Sequence, residues 1–164
     1  MSDDQELIDR ATSLIDLLRS KGLKLATAES CTGGLIAGAV TEVAGSSDVF
    51  DRGFVTYSNE AKAEMLGVPA ALVATHGAVS PQVAREMAEG ALRHSRADIA
   101  VAVTGVAGPG GGTAAKPVGL VYVCTAQREG TPSIAELRLG DIGRASVRRA
   151  TILKALEMVA ELVA

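Results

Sequence analysis

Aromatic side chains are almost missing from this chain of 164 residues, which has no tryptophan, two phenylalanines and two tyrosines. Because 48% of the residues are nevertheless apolar, the core must consist mainly of valine, isoleucine, leucine and alanine. Small aliphatic side chains of this kind suit a β-sheet that is closely covered by helices. The length fits one domain of ordinary size, with a core that needs no disulfide or metal ion to hold it together. We therefore predict a single domain over residues 1–164.

Cysteine and positive charge are also scarce. Two cysteines, Cys31 and Cys124, do not make a disulfide framework or a metal site. The net charge is −3 and no basic run exceeds two residues, so nucleic-acid binding through a broad positive face is not expected. No apolar run reaches the roughly 18 residues of a membrane span, and the acidic N-terminus does not resemble a signal peptide. We expect a cytoplasmic protein that binds neither membranes nor nucleic acid.

Helical and strand-like patterns alternate along the chain. Apolar residues recur at helical spacing in residues 5–20 and again from about Arg144 to the C-terminus. The other predicted elements are strand Lys24–Ala28, a helix from Ser30 to near Gly45, strand Phe54–Tyr57, helix Asn59–Leu66, a helix from Ser80 to about His94, and strands Asp98–Thr104, Leu120–Ala126 and Ser133–Leu139. This alternation predicts a layered α/β fold with a largely parallel sheet. The short connection between the last two strands predicts an antiparallel hairpin, so the sheet is expected to be mixed.

The first candidate for chemistry is the segment Glu29–Gly34 (ESCTGG), which follows a predicted strand and opens a predicted helix. Backbone N–H groups there favour negative charge, either on a phosphate or on the oxyanion of acyl transfer. Gly33 and Gly34 allow a ligand to approach the backbone. The alternative is that Ser30 or Thr32 only caps the helix and that the glycines only permit close packing.

A serine nucleophile needs a base, and the two histidines of this chain are poor candidates. His94 lies in a polar stretch, and His76 lies in a predicted loop. Lys62 falls in the first turn of a predicted helix, where the helix dipole disfavours a cation and helps to lower the pKa of the amine. Tyr57, at the end of the preceding predicted strand, is expected to reach the same pocket. The alternative for Lys62 is a solvated surface lysine.

Two further segments suggest a binding surface. The loop Gly105–Gly119 is rich in glycine and proline and leaves the carboxyl end of a predicted strand, where ligands bind in open α/β sheets. Such a loop is costly to order and often carries function, although it also fits a plain crossover connection. Arg144 and Arg148 are four residues apart, so they share one helix face. A pair of guanidinium groups suits a phosphate, whereas the alternative is an ordinary solvated face.

Together these segments resemble the CinA C-terminal domain family in its free-standing, PncC-type form. The resemblance covers roughly residues 5–160 and rests on AESCTGG, YSNEAKAEMLGV, HGAVS, TGVAGPGGGTAAKPVGLVY and GD-x-x-R-x-x-V-R. It implies a three-layer α/β/α sandwich around a mixed sheet. It also implies hydrolysis of nicotinamide mononucleotide to nicotinate mononucleotide and ammonia, with no metal and no organic cofactor. Members of the family are often homodimers, so the resemblance implies a homodimer here.

Residue by residue, the resemblance places Ser30 at the serine nucleophile, Lys62 at the general base and Tyr57 at the tyrosine beside that lysine. The resemblance also implies substrate-binding roles for residues of the glycine-rich signature and of the arginine motif, which are Thr104, Gly105, Gly108, Lys116, Arg144 and Arg148. Thr32, Gly33 and Gly34, next to the serine, complete the candidate substrate-binding residues. The alternative function is a nucleotide-binding module without turnover. The joint presence of a hydroxyl and a base favours the amidase, because a binding module has no need of a base.

Overall fold

The structure is a computed structural model that describes residues 3–164. Residues 1 and 2 belong to the predicted single domain and to the acidic N-terminus, but they lie outside the described residues. The elements are α1 (Asp3–Lys21), β1 (Leu25–Glu29), α2 (Leu35–Thr41), β2 (Phe50–Val55), α3 (Asn59–Leu66), α4 (Ala70–His76), α5 (Pro81–Arg93), β3 (Ile99–Gly105), β4 (Leu120–Gln127), β5 (Ser133–Arg138) and α6 (Arg144–Val163). No helix in this part of the chain is long and apolar enough to cross a membrane.

The five strands form one sheet in the order β2-β1-β3-β4-β5. Strand β1 pairs in parallel with β2 and with β3, whereas β4 pairs antiparallel with β3 and with β5. Only β4 therefore runs against the other strands, which confirms the mixed, largely parallel sheet and the hairpin of β4 and β5. Glu29 at the end of β1 lies opposite Val55 of β2 and Val103 of β3. The carboxyl ends of three parallel strands thus meet at one edge of the sheet.

Helices cover both faces of the sheet. The buried side chains of α1, α2 and α6 form one core cluster, and those of α3 and α5 form a second cluster on the opposite face. Alternate residues of β3 divide between the two, with Val101 and Val103 in the first cluster and Ala100 and Ala102 in the second. Because successive strand residues point to opposite faces, the sheet is apolar on both sides. This arrangement is the predicted three-layer α/β/α sandwich.

Three elements differ from the sequence prediction. Helix α2 begins at Leu35 rather than near Ser30, because Gly33 and Gly34 have φ of +59° and +105°, outside the right-handed helical region. Strand β2 begins at Phe50, four residues earlier than predicted. It is an edge strand with several exposed residues, so its sequence lacks the apolar run of a buried strand.

Helix α4 was not predicted, and His76 is its last residue rather than part of a loop. The helix has only seven residues and none of them is fully buried. A helix without a buried stripe leaves no periodic pattern of apolar residues in the sequence, which is why it was missed.

Candidate active site

A pocket of about 200 Å³ lies at the carboxyl ends of β1, β2 and β3. Ser30 directly follows β1, Tyr57 comes two residues after β2, and Thr104 and Gly105 end β3. The lining residues are Ser30, Cys31, Tyr57, Asn59, Lys62, Ala78, Val79, Thr104, Gly105, Ala107 and Arg144. A larger hollow of about 450 Å³ between α1, α2 and α6 has a mainly apolar lining and offers no nucleophile. The smaller pocket is therefore the candidate active site.

The centre of the pocket is a contact of 3.1 Å between the Nζ of Lys62 and the Oγ of Ser30. The Lys62 side chain leaves helix α3 and is only 1% exposed, so it is not a solvated surface lysine. Its Nζ also lies 2.9 Å from the carbonyl oxygen of Thr56 and 3.3 Å from that of Tyr57. Burial lowers the pKa of this amine from its usual value, because a charged group loses hydration inside the protein.

These contacts suit a neutral amine that receives a proton. Neutral Lys62 has two N–H bonds and one lone pair. If the two N–H bonds are donated to the carbonyls of Thr56 and Tyr57, the lone pair is left for the hydroxyl proton of Ser30. The backbone beyond β2 thus orients the base, and burial lowers its pKa, which favours the neutral form.

The turn that follows β1 determines where Ser30 lies. The N–H of Ser30 donates to the carbonyl of Val103 at 3.1 Å, so this residue is tied to the neighbouring strand. The N–H of Gly33 donates back to the carbonyl of Ser30 at 3.1 Å. Within residues 3–164, the N–H groups of Cys31 and Thr32 donate to no other residue. Cys31 lines the pocket, so its N–H is a candidate donor for the oxyanion of acyl transfer, whereas Thr32 is fully buried outside the lining.

Glu29 is the residue of the turn that sequence reasoning missed. Its carboxylate is fully buried and accepts hydrogen bonds from the N–H of Ile36 at 2.8 Å and of Ala37 at 3.1 Å, at the start of α2. The hydroxyl of Thr32 donates to the same carboxylate. A strand residue therefore supplies the hydrogen bonds that cap α2, and the alternative that Ser30 or Thr32 only caps this helix does not hold. A charged residue in LATAE, a strand with no other charge and with every residue buried, was the available signal.

The two arginines of α6 share a face but bind different parts of the chain. The Nη1 of Arg144 donates to the carbonyl of Gly108 at 2.9 Å, and its Nη2 donates to the hydroxyl of Tyr57 at 3.1 Å. Arg144 lines the pocket. The Nε and Nη2 of Arg148 donate to the carbonyls of Cys31 and Thr32, each at 3.2 Å. Arg148 is not part of the pocket lining.

The structure brings half of the sequence-predicted site residues into the pocket lining. These are Ser30, Tyr57, Lys62, Thr104, Gly105 and Arg144. The others, Thr32, Gly33, Gly34, Gly108, Lys116 and Arg148, lie outside the lining.

Two of the predicted site residues, Thr104 in the lining and Lys116 outside it, donate to backbone carbonyls near the pocket. The hydroxyl of Thr104 donates to the carbonyl of Ala78 at 2.9 Å, and the Nζ of Lys116 donates to the carbonyl of His76. Among the described residues, no group of three or more His, Cys, Asp or Glu side chains is placed to hold a metal ion.

The fold and the pocket together define a class: a three-layer α/β/α domain with a buried lysine beside a serine at the carboxyl edge of its sheet. The chain belongs to the CinA C-terminal domain family, whose model matches residues 8–163. This confirms the resemblance noted in the sequence.

Individual relatives agree with the family model. A CinA-like protein from Geobacter sulfurreducens is 53% identical over 146 residues, which are 89% of this chain and 35% of that protein. The chain spans 29–37% of the length of the curated relatives it matches.

Solved structures show the same fold. The competence/damage inducible protein CihA from Agrobacterium tumefaciens is 57% identical with a TM-score of 0.93, and the alignment covers 99% of this chain and 96% of that one. A CinA superfamily protein from Escherichia coli is 31% identical with a TM-score of 0.91, covering 99% and 93%.

Proposed function

We propose that this protein is an amidohydrolase that converts nicotinamide mononucleotide to nicotinate mononucleotide and ammonia. The observation that carries the proposal is the 3.1 Å contact between the buried amine of Lys62 and the hydroxyl of Ser30. A base within hydrogen-bond distance of a hydroxyl is the usual arrangement for an activated serine, and lysine can replace histidine in that role. The identity of the substrate rests on the family resemblance alone.

In the first half of the proposed reaction, Ser30 Oγ attacks the carboxamide carbon while Lys62 Nζ takes the hydroxyl proton. The carbonyl oxygen becomes an oxyanion, and the free N–H of Cys31, which lines the pocket, is the candidate donor for it. The C–N bond then breaks as the leaving nitrogen receives a proton from Lys62, or from Tyr57 acting with it. Ammonia departs and the acyl group remains on Ser30.

In the second half, water attacks the acyl carbon while Lys62 takes one of its protons. The ester bond to Ser30 breaks, the proton returns to Ser30 Oγ, and the carboxylic acid product releases its remaining proton to solvent and leaves as the carboxylate. Lys62 is neutral before each attack and charged after it, so a pKa lowered by burial favours both steps.

The small volume of the pocket supports a binding mode in which only part of the substrate enters it. Its volume of about 200 Å³ is smaller than the roughly 300–1,000 Å³ of common ligand sites. We propose that it takes the nicotinamide ring and leaves the ribose phosphate at the mouth. Arg144 lines the pocket but remains exposed, so its guanidinium is the candidate partner of the phosphate.

The test is ammonia release from nicotinamide mononucleotide, measured beside nicotinamide riboside and free nicotinamide. We expect the mononucleotide to be hydrolysed most efficiently and a Ser30→Ala variant to be inactive on all three compounds. Nucleotide binding by the parent protein without ammonia release from any of the three would favour the non-catalytic binding module. Such a module, however, gives no reason for placing a lysine out of water beside a serine, where its charged form is disfavoured.

A further inference from the structure

The guanidinium of Arg148 binds two consecutive carbonyl groups in the turn that carries the candidate nucleophile. Its Nε donates to the carbonyl of Cys31, which lies 117 positions earlier in the chain, and its Nη2 donates to the carbonyl of Thr32, 116 positions earlier. The Nε–Nη2 edge is the fork with which arginine recognises carboxylates and phosphates. In this structure that edge is already occupied by the protein's own backbone.

We infer that Arg148 is a positioning residue that fixes the peptide groups after Ser30, and that Arg144 alone is left for the substrate anion. The inference rests on the proposed function, in that it assigns a role within amide hydrolysis. The sequence predicts that both arginines bind substrate, whereas this inference keeps that role for Arg144 only.

Peptide geometry gives the reason. In a trans peptide the C=O and N–H of one unit point in opposite directions. The bond from Arg148 to the carbonyl of Cys31 therefore also fixes the direction of the N–H of Thr32. In the same way, the bond from Gly33 to the carbonyl of Ser30 fixes the N–H of Cys31. Cys31 lines the pocket and its N–H is the candidate oxyanion donor. The bonds from Gly33 and Arg148 fix the peptide groups on both sides of Cys31, so these contacts on the carbonyl side determine how an oxyanion would be held.

The positive charge of Arg148 has a second effect on the peptide group that it binds. A cation that binds a carbonyl polarises the whole peptide group, and a polarised N–H is a stronger donor. The carboxylate of Glu29 holds the same turn from its other side. It accepts hydrogen bonds from the Thr32 hydroxyl and from the N–H groups of Ile36 and Ala37. Thr32 is thus held at its carbonyl by Arg148 and at its side chain by Glu29. The turn is fixed by one arginine and one glutamate, neither of which lines the pocket.

A substrate role for Arg148 would require these bonds to break. To offer the same fork to a phosphate, the guanidinium would have to leave both carbonyls, which would free the turn at the moment of reaction. Arg144 also donates to a backbone carbonyl, that of Gly108, but its other partner is the exposed Tyr57 at the pocket itself. Neither bond of Arg144 holds the turn that carries Ser30.

The experiment compares Arg148→Met and Arg148→Lys with Arg149→Ala as the matched control. Arg149 is the next residue on the same helix, but its guanidinium binds Glu6 of α1 instead of the turn. Two activities are measured for each variant: hydrolysis of the mononucleotide and the riboside, and the rate at which a fluorophosphonate labels Ser30. In the labelling reaction Ser30 Oγ displaces fluoride from phosphorus, so it reports on the nucleophile and its oxyanion donors without the natural substrate.

We expect Arg148→Met to lower kcat for both substrates by the same factor, at least tenfold, since misplacement of about 1 Å in a site costs on the order of a hundredfold. The ratio of the two KM values is expected to stay at the parent value, and labelling is expected to slow in parallel. Arg148→Lys keeps a charge and one donor, so it should recover part of both activities. Arg149→Ala should stay within about twofold of the parent protein.

Labelling of Arg148→Met at the parent rate would overturn the inference. So would a loss of activity confined to the phosphorylated substrate, because that result would make Arg148 a substrate ligand. If Arg148→Met does not fold, the same criteria apply to Arg148→Lys. If the parent protein is labelled at Ser30 but releases no ammonia from the mononucleotide, the proposed function fails while the labelling rates still test the inference. No labelling of the parent protein would overturn both.

Discussion

Replacement of Lys62 by arginine separates a proton acceptor from a fixed positive charge. Arginine keeps the charge and donors of a cation, but the pKa of its guanidinium is so high that it does not become neutral in a protein. In this structure the lysine amine is buried, lies 3.1 Å from Ser30 Oγ and has two carbonyl partners. If the amine accepts the serine proton, Lys62→Arg must be as inactive as Lys62→Met, which keeps a similar volume without any nitrogen.

The expected loss follows from the role of the base. General-base catalysis contributes about 10²- to 10⁴-fold, which is about 3 to 5.5 kcal/mol at about 1.36 kcal/mol per factor of ten. A lysine with the ordinary pKa of about 10.4 is neutral in roughly one molecule in a thousand at pH 7.4, and each unit by which the pKa falls raises that fraction about tenfold. Burial lowers the pKa of Lys62. A larger share of the protein is therefore ready to react near neutral pH than an ordinary lysine would allow.

The assay is initial-rate ammonia release from the mononucleotide at pH 6–10, with circular dichroism to show that each variant is folded. The neutral amine is the active form. For the parent protein kcat/KM should therefore rise about tenfold per pH unit below the lowered pKa of Lys62 and level off above it. A folded Lys62→Arg variant that keeps more than a tenth of the parent kcat would refute the role of proton acceptor. A flat pH profile of the parent protein would refute it as well, and the lysine would then act through its charge.

Three further results are expected. Ser30→Ala should abolish ammonia release and fluorophosphonate labelling but keep the fold, since it removes one hydroxyl; near-parent activity would exclude Ser30 as the nucleophile. Arg144→Ala should raise KM for the mononucleotide more than for the riboside, and equal effects on the two substrates would place the phosphate elsewhere. Gly90→Ala should lower the midpoint of thermal unfolding by several degrees, because its Cβ would lie 2.1 Å from the carbonyl oxygen of Leu66, and forced overpacking costs about 1–3 kcal/mol; an unchanged midpoint would show that α3 and α5 can move apart.

The parts of the fold that the sequence predicted are those with a strong local pattern. The buried run of β3, the apolar stripes of α1 and α6 and the Ser80-Pro81 start of α5 each carry a signal within a few residues, and the structure confirms them. In α5 the hydroxyl of Ser80 accepts from the N–H of Val83 at 3.2 Å, as a helix cap does. Helix α4 has no buried stripe and the edge strand β2 no continuous apolar run, so their local patterns were too weak.

The candidate site shows the same limit at longer range. The sequence could place Ser30 after a strand and Lys62 in a nearby helix, because both positions depend on local pattern. It could not show that the amine is buried against the carbonyls of Thr56 and Tyr57, since burial depends on the packing of β2 and α3 around it.

The different roles of Arg144 and Arg148 could not be predicted from local sequence pattern. Four residues apart on one helix, they look equivalent in sequence, and helical spacing gives them the same face. They differ in the segment that each one contacts. Arg144 binds the loop after β3 and Tyr57, whereas Arg148 binds the turn after β1. One helical turn along α6 moves the guanidinium from the mouth of the pocket to the backbone behind the nucleophile. Two identical side chains thereby become suited to different tasks, one at the substrate and one at the serine turn.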